Sequence, residues 1–246
     1  MKRVPNIDKL LKEWAYEPNS VSVRMANGAD GREVIQMRIE MGVLQLETEG
    51  RPDGTQPFGL DTFYDHLISL ALEDDDLIMD EDQCFEVDRE FVQFYHRRIC
   101  WLALRQFDKA VRDATHTLGL MDFCKEHSPD ASWTLAHEQY RPFVLFHRVQ
   151  ASALGALEAS QPEKAVEVIN AGLESIQEVH LLNDFEEEIE EDNELVDRLI
   201  ELRESLREKF SVGKTLQEKL NEAIATEQYE LAAQIRDQLA SRSTKA

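Results

Sequence analysis

The chain has 246 residues, a hydrophobic fraction of 42%, a charged fraction of 31% and a formal net charge of -22. This length accommodates one sizeable core or two small ones, and the low counts of 10 Gly and 7 Pro exclude a low-complexity chain. The negative charge argues against direct nucleic-acid contact, because phosphate binding draws its affinity largely from Lys and Arg.

The cysteine content and the hydropathy indicate a reducing compartment without membrane contact. Cys84, Cys100 and Cys124 are odd in number and far apart, which is typical of reduced thiols rather than a disulfide framework. No apolar run approaches the roughly 20 residues that span a bilayer, and no apolar signal segment follows Met1. We therefore expect a cytoplasmic protein.

Residues 1–60 are expected to form an N-terminal extension with one short helix and a β-hairpin. Apolar and polar residues alternate at 21–25 and again at 35–41, with Asn-Gly and Asp-Gly turn pairs between them. The apolar positions change from odd to even numbers after Met41, which predicts a β-bulge or bend at Gly42. A ribbon of this size is marginal alone, so we expect it to pack on the preceding helix or on the helical body. That helix has its apolar face at Ile7, Leu10, Leu11 and Trp14.

Gly and Pro concentrate between Glu49 and Gly59 and predict a loop. We favour a linker between the hairpin and the helices, because no phosphate-cradle spacing is present. The alternative is a small-molecule-binding protein or enzyme whose site lies near Arg51 and Asp53. In that case Arg97 or Arg98 would line a pocket beside the helical repeats.

Residues 61–210 predict a mainly helical domain, whose first helix is capped by Asp61. One phrase occurs twice, as Gln-Phe-Asp-Lys-Ala-Val at 106–111 and Gln-Pro-Glu-Lys-Ala-Val at 161–166. Ser160 and Glu163 have the form of a capping box. The acidic run from Asp184 to Glu194 predicts a solvated face or loop, and the alternative is a role in capturing cations or basic partners. The amphipathic helix that follows either docks on the repeats or pairs as a short coiled coil.

The first phrase resembles a tetratricopeptide helical pair, with Trp101, Phe107, Ala110 and Leu118 near that family's bulky and small positions. The resemblance is to a divergent repeat, since Arg98 and Arg105 replace small residues. The two phrases also lie farther apart than the roughly 34 residues of the regular period, which predicts an inserted helix within 129–140.

No catalytic or metal-binding set emerges from the sequence. Asp113 and His116 share a helical face, and Cys124 and His127 have ligand-like spacing, but a closed zinc site requires four ligands. No nucleophile motif accompanies the Ser, Cys and His residues. We predict no enzyme activity, no cofactor and no metal.

Residues 214–241 predict a helical hairpin that turns at Thr226–Gln228. Two helices of about 12 residues cannot offset their ordering entropy alone, so the hairpin must pack on something. It either folds back on its own chain or pairs with a second hairpin. Tyr229 is expected to wedge the turn.

This hairpin resembles the UVR motif found in excinuclease subunits B and C and in some Clp-type chaperone ATPases and their regulators. The resemblance rests on Lys219, Leu220, Ala223, Glu227, the run Tyr229-Glu230-Leu231-Ala232-Ala233, Arg236-Asp237 and Leu239. It implies protein–protein contact by hairpin pairing. The implied contact residues are Leu220, Tyr229, Glu230, Ala232, Ala233, Arg236 and Asp237.

The sequence thus predicts a mainly α protein, with a divergent tetratricopeptide-like domain between a small N-terminal β-hairpin and a C-terminal helical hairpin. We interpret it as a non-enzymatic adaptor linked to DNA repair or Clp-type protein quality control. Its partner would be another protein or a second copy, as in a homodimer. The P-loop, nuclease and ATPase motifs of the excinucleases and Clp proteins are not found upstream.

Overall fold

A computed structural model describes residues 6–182 and 190–243 of the chain. These residues are mainly helical, with a small antiparallel sheet near the N-terminus and helices at the C-terminus. The elements are α1 (Asp8–Glu13), β1 (Val23–Asn27), β2 (Glu33–Ile39), β3 (Gly42–Glu47), a 3-10 turn (Pro57–Gly59), α2 (Phe63–Glu73), α3 (Glu81–Ala103), α4 (Phe107–His127), α5 (Ala131–Glu138), α6 (Arg141–Glu158), α7 (Pro162–Leu182), α8 (Glu190–Phe210), α9 (Leu216–Ala225) and α10 (Tyr229–Ser243).

The chain divides into two compact units, residues 1–152 (unit 1) and 153–246 (unit 2), with the boundary inside α6. The division expected from the sequence, into residues 1–60, 61–210 and 214–241, follows changes in the hydrophobic periodicity. It stays a prediction. Residues 184–189 of the acidic run lie outside the described residues. No helix in the described part of the chain is both long and apolar enough to cross a membrane.

The sheet has the order β1-β2-β3, with both neighbouring pairs antiparallel. The predicted β-bulge or bend at Gly42 is wrong, because the chain reverses there through a two-residue turn and Ile39 pairs with Gly42. In this register odd residues of β2 face even residues of β3, as Ile35 faces Leu46. The change of apolar parity therefore marks a third strand and not an irregular second one.

Trp14, which follows α1 directly, attaches to the sheet. Packing of the sheet on the first helix is one of the two arrangements expected from the sequence. The Trp14 indole Nε1 donates to Ser22 Oγ at 2.7 Å, and the Arg24 guanidinium lies 4.3 Å from the ring centroid. The buried Arg38 of β2 donates from Nε to the Trp14 carbonyl at 2.8 Å. A three-stranded sheet of this size is marginal alone, and these contacts stabilise it.

The helical part of unit 1 has a core between α2, α3 and α4. Trp101, Phe107, Ala110 and Leu118 are all buried, as the tetratricopeptide resemblance requires. The inserted helix predicted within 129–140 is confirmed as α5. The core cluster consists of Phe63, Leu67, Met79, Cys84, Val87, Leu120, Phe123 and Cys124.

Two predicted helix caps are wrong. Thr62, not Asp61, caps α2, since its side chain accepts the backbone N–H of Asp65. Ser160 has a positive φ of 59° and so cannot take the extended conformation of an N-cap. The first backbone bond of α7 instead runs from Ala165 to the Gln161 carbonyl.

Candidate protein-interaction surface

The loop after β3 is fixed to α3 by buried charges. Arg51 is buried and donates from Nη2 to Glu86 Oε2 at 2.7 Å, and its Nε lies 3.5 Å from Glu90 Oε2. Burial alone would raise the pKa of Glu86, but hydrogen bonds from Arg51 and Arg89 outweigh it and hold the pKa low. Asp53 accepts from Gln93 Nε2 at 2.9 Å.

Arg97 of α3 also binds the end of β3 and the loop that follows it. Its Nε and Nη2 contact the two carboxylate oxygens of Asp113 at 2.7 and 3.0 Å, while Nη1 donates to the carbonyls of Glu47 and Gly50. Arg97 thus donates to groups of the protein itself from Nε, Nη1 and Nη2. Arg51 does so from Nη2, whereas its buried Nε has only ion-pair contacts and no hydrogen-bond partner among the described residues. These contacts favour the linker interpretation of the loop over a ligand site.

Arg98, the other arginine considered for that site, is equally buried. Its Nε donates to His147 Nδ1 at 3.2 Å and its Nη1 to Thr117 Oγ1 at 3.0 Å. Burial lowers the pKa of Arg98 to about 10, although the charge of Asp113 opposes the shift. Burial and the positive charge of Arg98 lower the pKa of His147 to about 3, so this imidazole is neutral.

The residues with ligand-like spacing take part in separate contacts. His116 Nε2 lies 3.0 Å from Glu90 Oε1, and His127 Nδ1 lies 2.9 Å from the Leu77 carbonyl. Burial raises the pKa of the Cys124 thiol, which disfavours a thiolate ligand. Among the described residues, no group of three or more His, Cys, Asp or Glu could hold a metal ion.

The C-terminal hairpin consists of α9 and α10, which pack on each other. Thr215 and Glu218 form a capping box at the start of α9, and Arg207 of α8 pairs with Glu218 across the connection. The hairpin has a small core of its own, formed by Ala223, Ala232 and Ile235 with Leu216, Leu220 and Leu239 packed against them.

The seven predicted contact residues divide between the inside and the outside of this hairpin. Leu220 and Ala232 belong to its own core. Tyr229, Glu230, Ala233, Arg236 and Asp237 are exposed. Tyr229 is 67% exposed, so the prediction that it wedges the turn is wrong. Whether these side chains contact another protein stays a prediction.

The hairpin turns in the same way as two earlier helix connections. In each of the three turns, a residue of positive φ directly precedes a glutamine. The backbone N–H of this glutamine donates to the carbonyl five residues earlier. Its backbone carbonyl accepts from the N–H of an alanine four residues later. The three positive-φ residues are Arg105, Ser160 and Glu227, the glutamines are Gln106, Gln161 and Gln228, and the alanines are Ala110, Ala165 and Ala232.

This shared turn permits a position-by-position comparison of α4, α7 and α10. One stripe begins at the residue after each glutamine and continues four, seven and eleven positions farther, so its members share one face. In α4 it is mostly buried and in α7 its two middle members are buried, whereas in α10 all four members are exposed. The stripes are Phe107, Val111, Ala114 and Leu118; Pro162, Val166, Ile169 and Leu173; and Tyr229, Ala233, Arg236 and Ala240.

We call Tyr229, Ala233, Arg236 and Ala240 the outer stripe of α10. The third copy of the turn also has a signal in the sequence. Gln228-Tyr229-Glu230-Leu231-Ala232 repeats the glutamine, the acidic residue and the alanine of the two earlier phrases. It lacks the Lys-Ala-Val tripeptide that the two earlier phrases share.

The fold and this surface define an α-helical repeat protein with an exposed helical hairpin near its C-terminus. Residues 214–241 match the family described as the UvrB/uvrC motif, UVR. No curated protein and no solved structure matches the chain. No family match covers the helices of residues 81–182, so their resemblance to tetratricopeptide repeats is not confirmed by these comparisons.

Proposed function

We propose that the protein is a non-enzymatic adaptor that binds other proteins through its UVR hairpin, residues 214–241. The outer stripe of α10 carries this proposal. The corresponding stripes follow the same turn in α4 and α7. The stripe of α4 is mostly buried and the two middle residues of the α7 stripe are buried, whereas all four residues of the α10 stripe are exposed. Two packed helices with a core of three buried residues gain stability from a further partner.

The chemistry of the hairpin suits a helical partner. Tyr229 offers a large ring with a polar end, and Ala233 at the centre of the stripe permits close approach of another helix. Ile224 and Leu231 are also exposed, at 52% and 44%. Apolar contacts would supply affinity, and the charges of Arg236 and Asp237 would supply orientation.

The UVR match suggests the setting, either DNA repair or Clp-type protein quality control. The net charge of -22 favours a role through proteins rather than by direct phosphate contact. The tetratricopeptide-like helices would serve as the body that presents the hairpin.

The test compares full-length wild-type protein with Ala233→Glu and with the matched control Gln234→Glu. Both variants gain one negative charge on α10, but their side chains point about 100° apart around the helix. After chemical cross-linking in the native cell and affinity purification, mass spectrometry identifies the cross-linked sites and proteins. We expect cross-links from residues 214–241 to another protein molecule, lost in Ala233→Glu and kept in Gln234→Glu. Unchanged cross-links in Ala233→Glu would refute the proposal.

A further inference from the structure

An apolar edge of α2 is open to solvent. Tyr64, Ile68 and Leu72 are spaced four residues apart and therefore lie along one side of this helix. Tyr64 is partly buried, whereas Ile68 is 39% exposed and Leu72 is 82% exposed. Covering such side chains is favourable roughly in proportion to the apolar area removed from water. We call Tyr64, Ile68 and Leu72 the α2 edge.

α4 lies beside the α2 edge. The Tyr64 ring packs edge-on against the rings of His116 and Phe123, with centroids 5.4 and 6.1 Å away. Gly119 permits this approach, because a Cβ at that position would lie 3.0 Å from the Tyr64 hydroxyl. Glu126 follows Gly119 by two helical turns on the same face of α4 and is exposed. α4 therefore places a carboxylate next to the apolar side chains of α2.

Negative charge borders the α2 edge on its other side as well. Asp65 is exposed there, and neither Asp65 nor Glu126 forms an ion pair with a described residue. Burial raises the pKa of the Tyr64 hydroxyl, and the charges of Asp122 and Asp65 raise it further. Asp122 itself pairs with Arg141 at 2.8 Å. The apolar edge thus lies between two carboxylates that have no cationic partner among the described residues.

Further carboxylates stand where the α2 edge ends. Residues 73–76 read Glu-Asp-Asp-Asp and are all exposed, and the last turn of α2 contains no basic residue. The C-terminal end of a helix carries partial negative charge and favours cations, so these carboxylates destabilise α2. None of them forms an ion pair within the described part of the chain. No Lys or Arg occurs between residues 52 and 88 to neutralise them locally.

We propose that the α2 edge binds a basic amphipathic helix of a partner protein. The apolar face of that helix would cover Ile68 and Leu72, and its Lys or Arg residues would reach the carboxylates on both sides. Cations at residues 73–76 would also complement the dipole of α2. This surface goes beyond the UVR hairpin, since it gives the adaptor a second partner through different residues.

The charge of the surface selects this occupant over others. A second copy of the chain would bring its own carboxylates against those of the first, and the phosphates of a nucleic acid would be repelled in the same way. In the described ranges, no group of three or more His, Cys, Asp or Glu could hold a metal ion. A basic amphipathic helix both covers Leu72 and neutralises the carboxylates around it.

The probe is a fluorescently labelled peptide of about 15 residues, with leucines along one face of a helix and lysines elsewhere. One control peptide has the same composition in an order that spreads the leucines around the helix, and another has glutamate for every lysine. Fluorescence anisotropy measures each dissociation constant with the full-length protein at about 0.15 M salt. The amphipathic basic peptide should bind at least about tenfold more tightly than either control. Its binding should weaken as salt rises.

A leucine variant of the full-length protein locates the apolar contact. Leu72→Ser should weaken binding of the basic peptide by about tenfold, since the interface loses a leucine. Leu181→Ser removes a leucine of α7 that is similarly exposed, at 74%, and should leave the affinity unchanged. Both side chains are largely in solvent in the free protein, so neither variant should alter the helical content measured by circular dichroism.

Neutralisation of residues 74–76 locates the charged contact. Asparagine keeps the acceptor with which Asp74 Oδ1 binds the N–H of Asp76, at 3.1 Å. The variant Asp74→Asn/Asp75→Asn/Asp76→Asn should bind the peptide about tenfold more weakly. It should also melt at a higher temperature, because the end of α2 is relieved of negative charge. The matched control removes exposed carboxylates from unit 2 and should keep the wild-type affinity; it is Glu174→Gln/Glu178→Gln/Glu201→Gln.

Equal binding of the two basic peptides, or equal weakening by the control variants, would show only general attraction to a chain of net charge -22 and would overturn the proposal. A wild-type protein that binds none of the peptides would overturn it too. Neither result bears on the UVR hairpin, because Ala233→Glu tests that function through cross-links from residues 214–241.

Discussion

Arg97 and Asp113 form a bidentate ion pair inside unit 1, with Nε–Oδ2 at 2.7 Å and Nη2–Oδ1 at 3.0 Å and both side chains at most 1% exposed. The same guanidinium donates to the carbonyls of Glu47 and Gly50, at the end of β3 and in the following loop. One residue therefore connects α3, α4 and the sheet.

Removing one member of this pair should be far more damaging than removing both. Arg97→Met leaves the buried Asp113 carboxylate with only the longer contact to Arg112 Nε, at 3.4 Å. Removing one partner of a buried ion pair typically costs about 3–5 kcal/mol. We expect the double variant Arg97→Met/Asp113→Leu to recover part of that loss, since no buried charge remains. Urea unfolding of the full chain measures both; equal destabilisation by the single and double variants would contradict the argument.

His147 should make stability depend on pH. Its pKa is lowered to about 3 in the folded protein, first by burial and then by the charge of Arg98, whereas an unfolded histidine has a pKa of about 6.5. The unfolded state therefore binds the proton more readily, and stability is lost as pH falls below about 6.5 towards the folded pKa.

Between about pH 6.5 and 5 the loss attributable to His147 should approach roughly 2 kcal/mol. His147→Asn keeps a side-chain acceptor for Arg98 but does not titrate, so its free energy of unfolding should fall less over this range. Chemical denaturation at several pH values gives the comparison. Parallel pH profiles for the two proteins would show that His147 is not responsible.

The left-handed residues of the repeated turn are sites for stabilisation. Ser160 has a φ of 59°, which glycine adopts without the steric penalty of a Cβ. Ser160→Gly should raise stability by about 0.5–1 kcal/mol, whereas Ser160→Ala should not, because alanine retains the penalty. Thermal unfolding of the three proteins distinguishes them, and a stabilising alanine would contradict the conformational explanation.

Neighbouring alanines of α10 should respond differently to the same substitution. Ala232 is 8% exposed in the hairpin's own core, so Ala232→Glu should unfold the hairpin by burying an unpaired charge. Ala233 is exposed, and Ala233→Glu should leave the helices intact while removing association. Hydrogen exchange of residues 216–240 checks this, and equal protection in both variants would contradict the assignment of Ala232 to the core.

Much of the fold was predictable because local pattern and tertiary packing agree. The periodic apolar residues of α3, α4 and α9 gave helices, and the long spacing between the two repeated phrases predicted the inserted α5. Predictions were wrong where two different backbone structures are compatible with the same local hydropathy pattern. The change of parity after Met41 is compatible with a bulge or with a new strand, and only the pairing of Ile39 with Gly42 decides between them.

The candidate surface was predictable only in part. The UVR resemblance located the hairpin and supplied Tyr229, Ala233 and Arg236, but it did not separate them from Ala232, which faces inwards. Adjacent positions on a helix point about 100° apart, so the position of the second helix determines which of them remains exposed.

The sequence by itself determined the helical class, the repeated phrases and the C-terminal hairpin, because apolar periodicity and turn residues act over a few positions. Only the tertiary structure decided that Arg97 pairs with Asp113 and that Glu90 accepts hydrogen bonds from the backbone N–H groups of Phe63 and Tyr64. It also decided that the outer stripe of α10 is exposed. Such contacts join residues distant in the chain, and local propensity carries no information about which distant groups will meet.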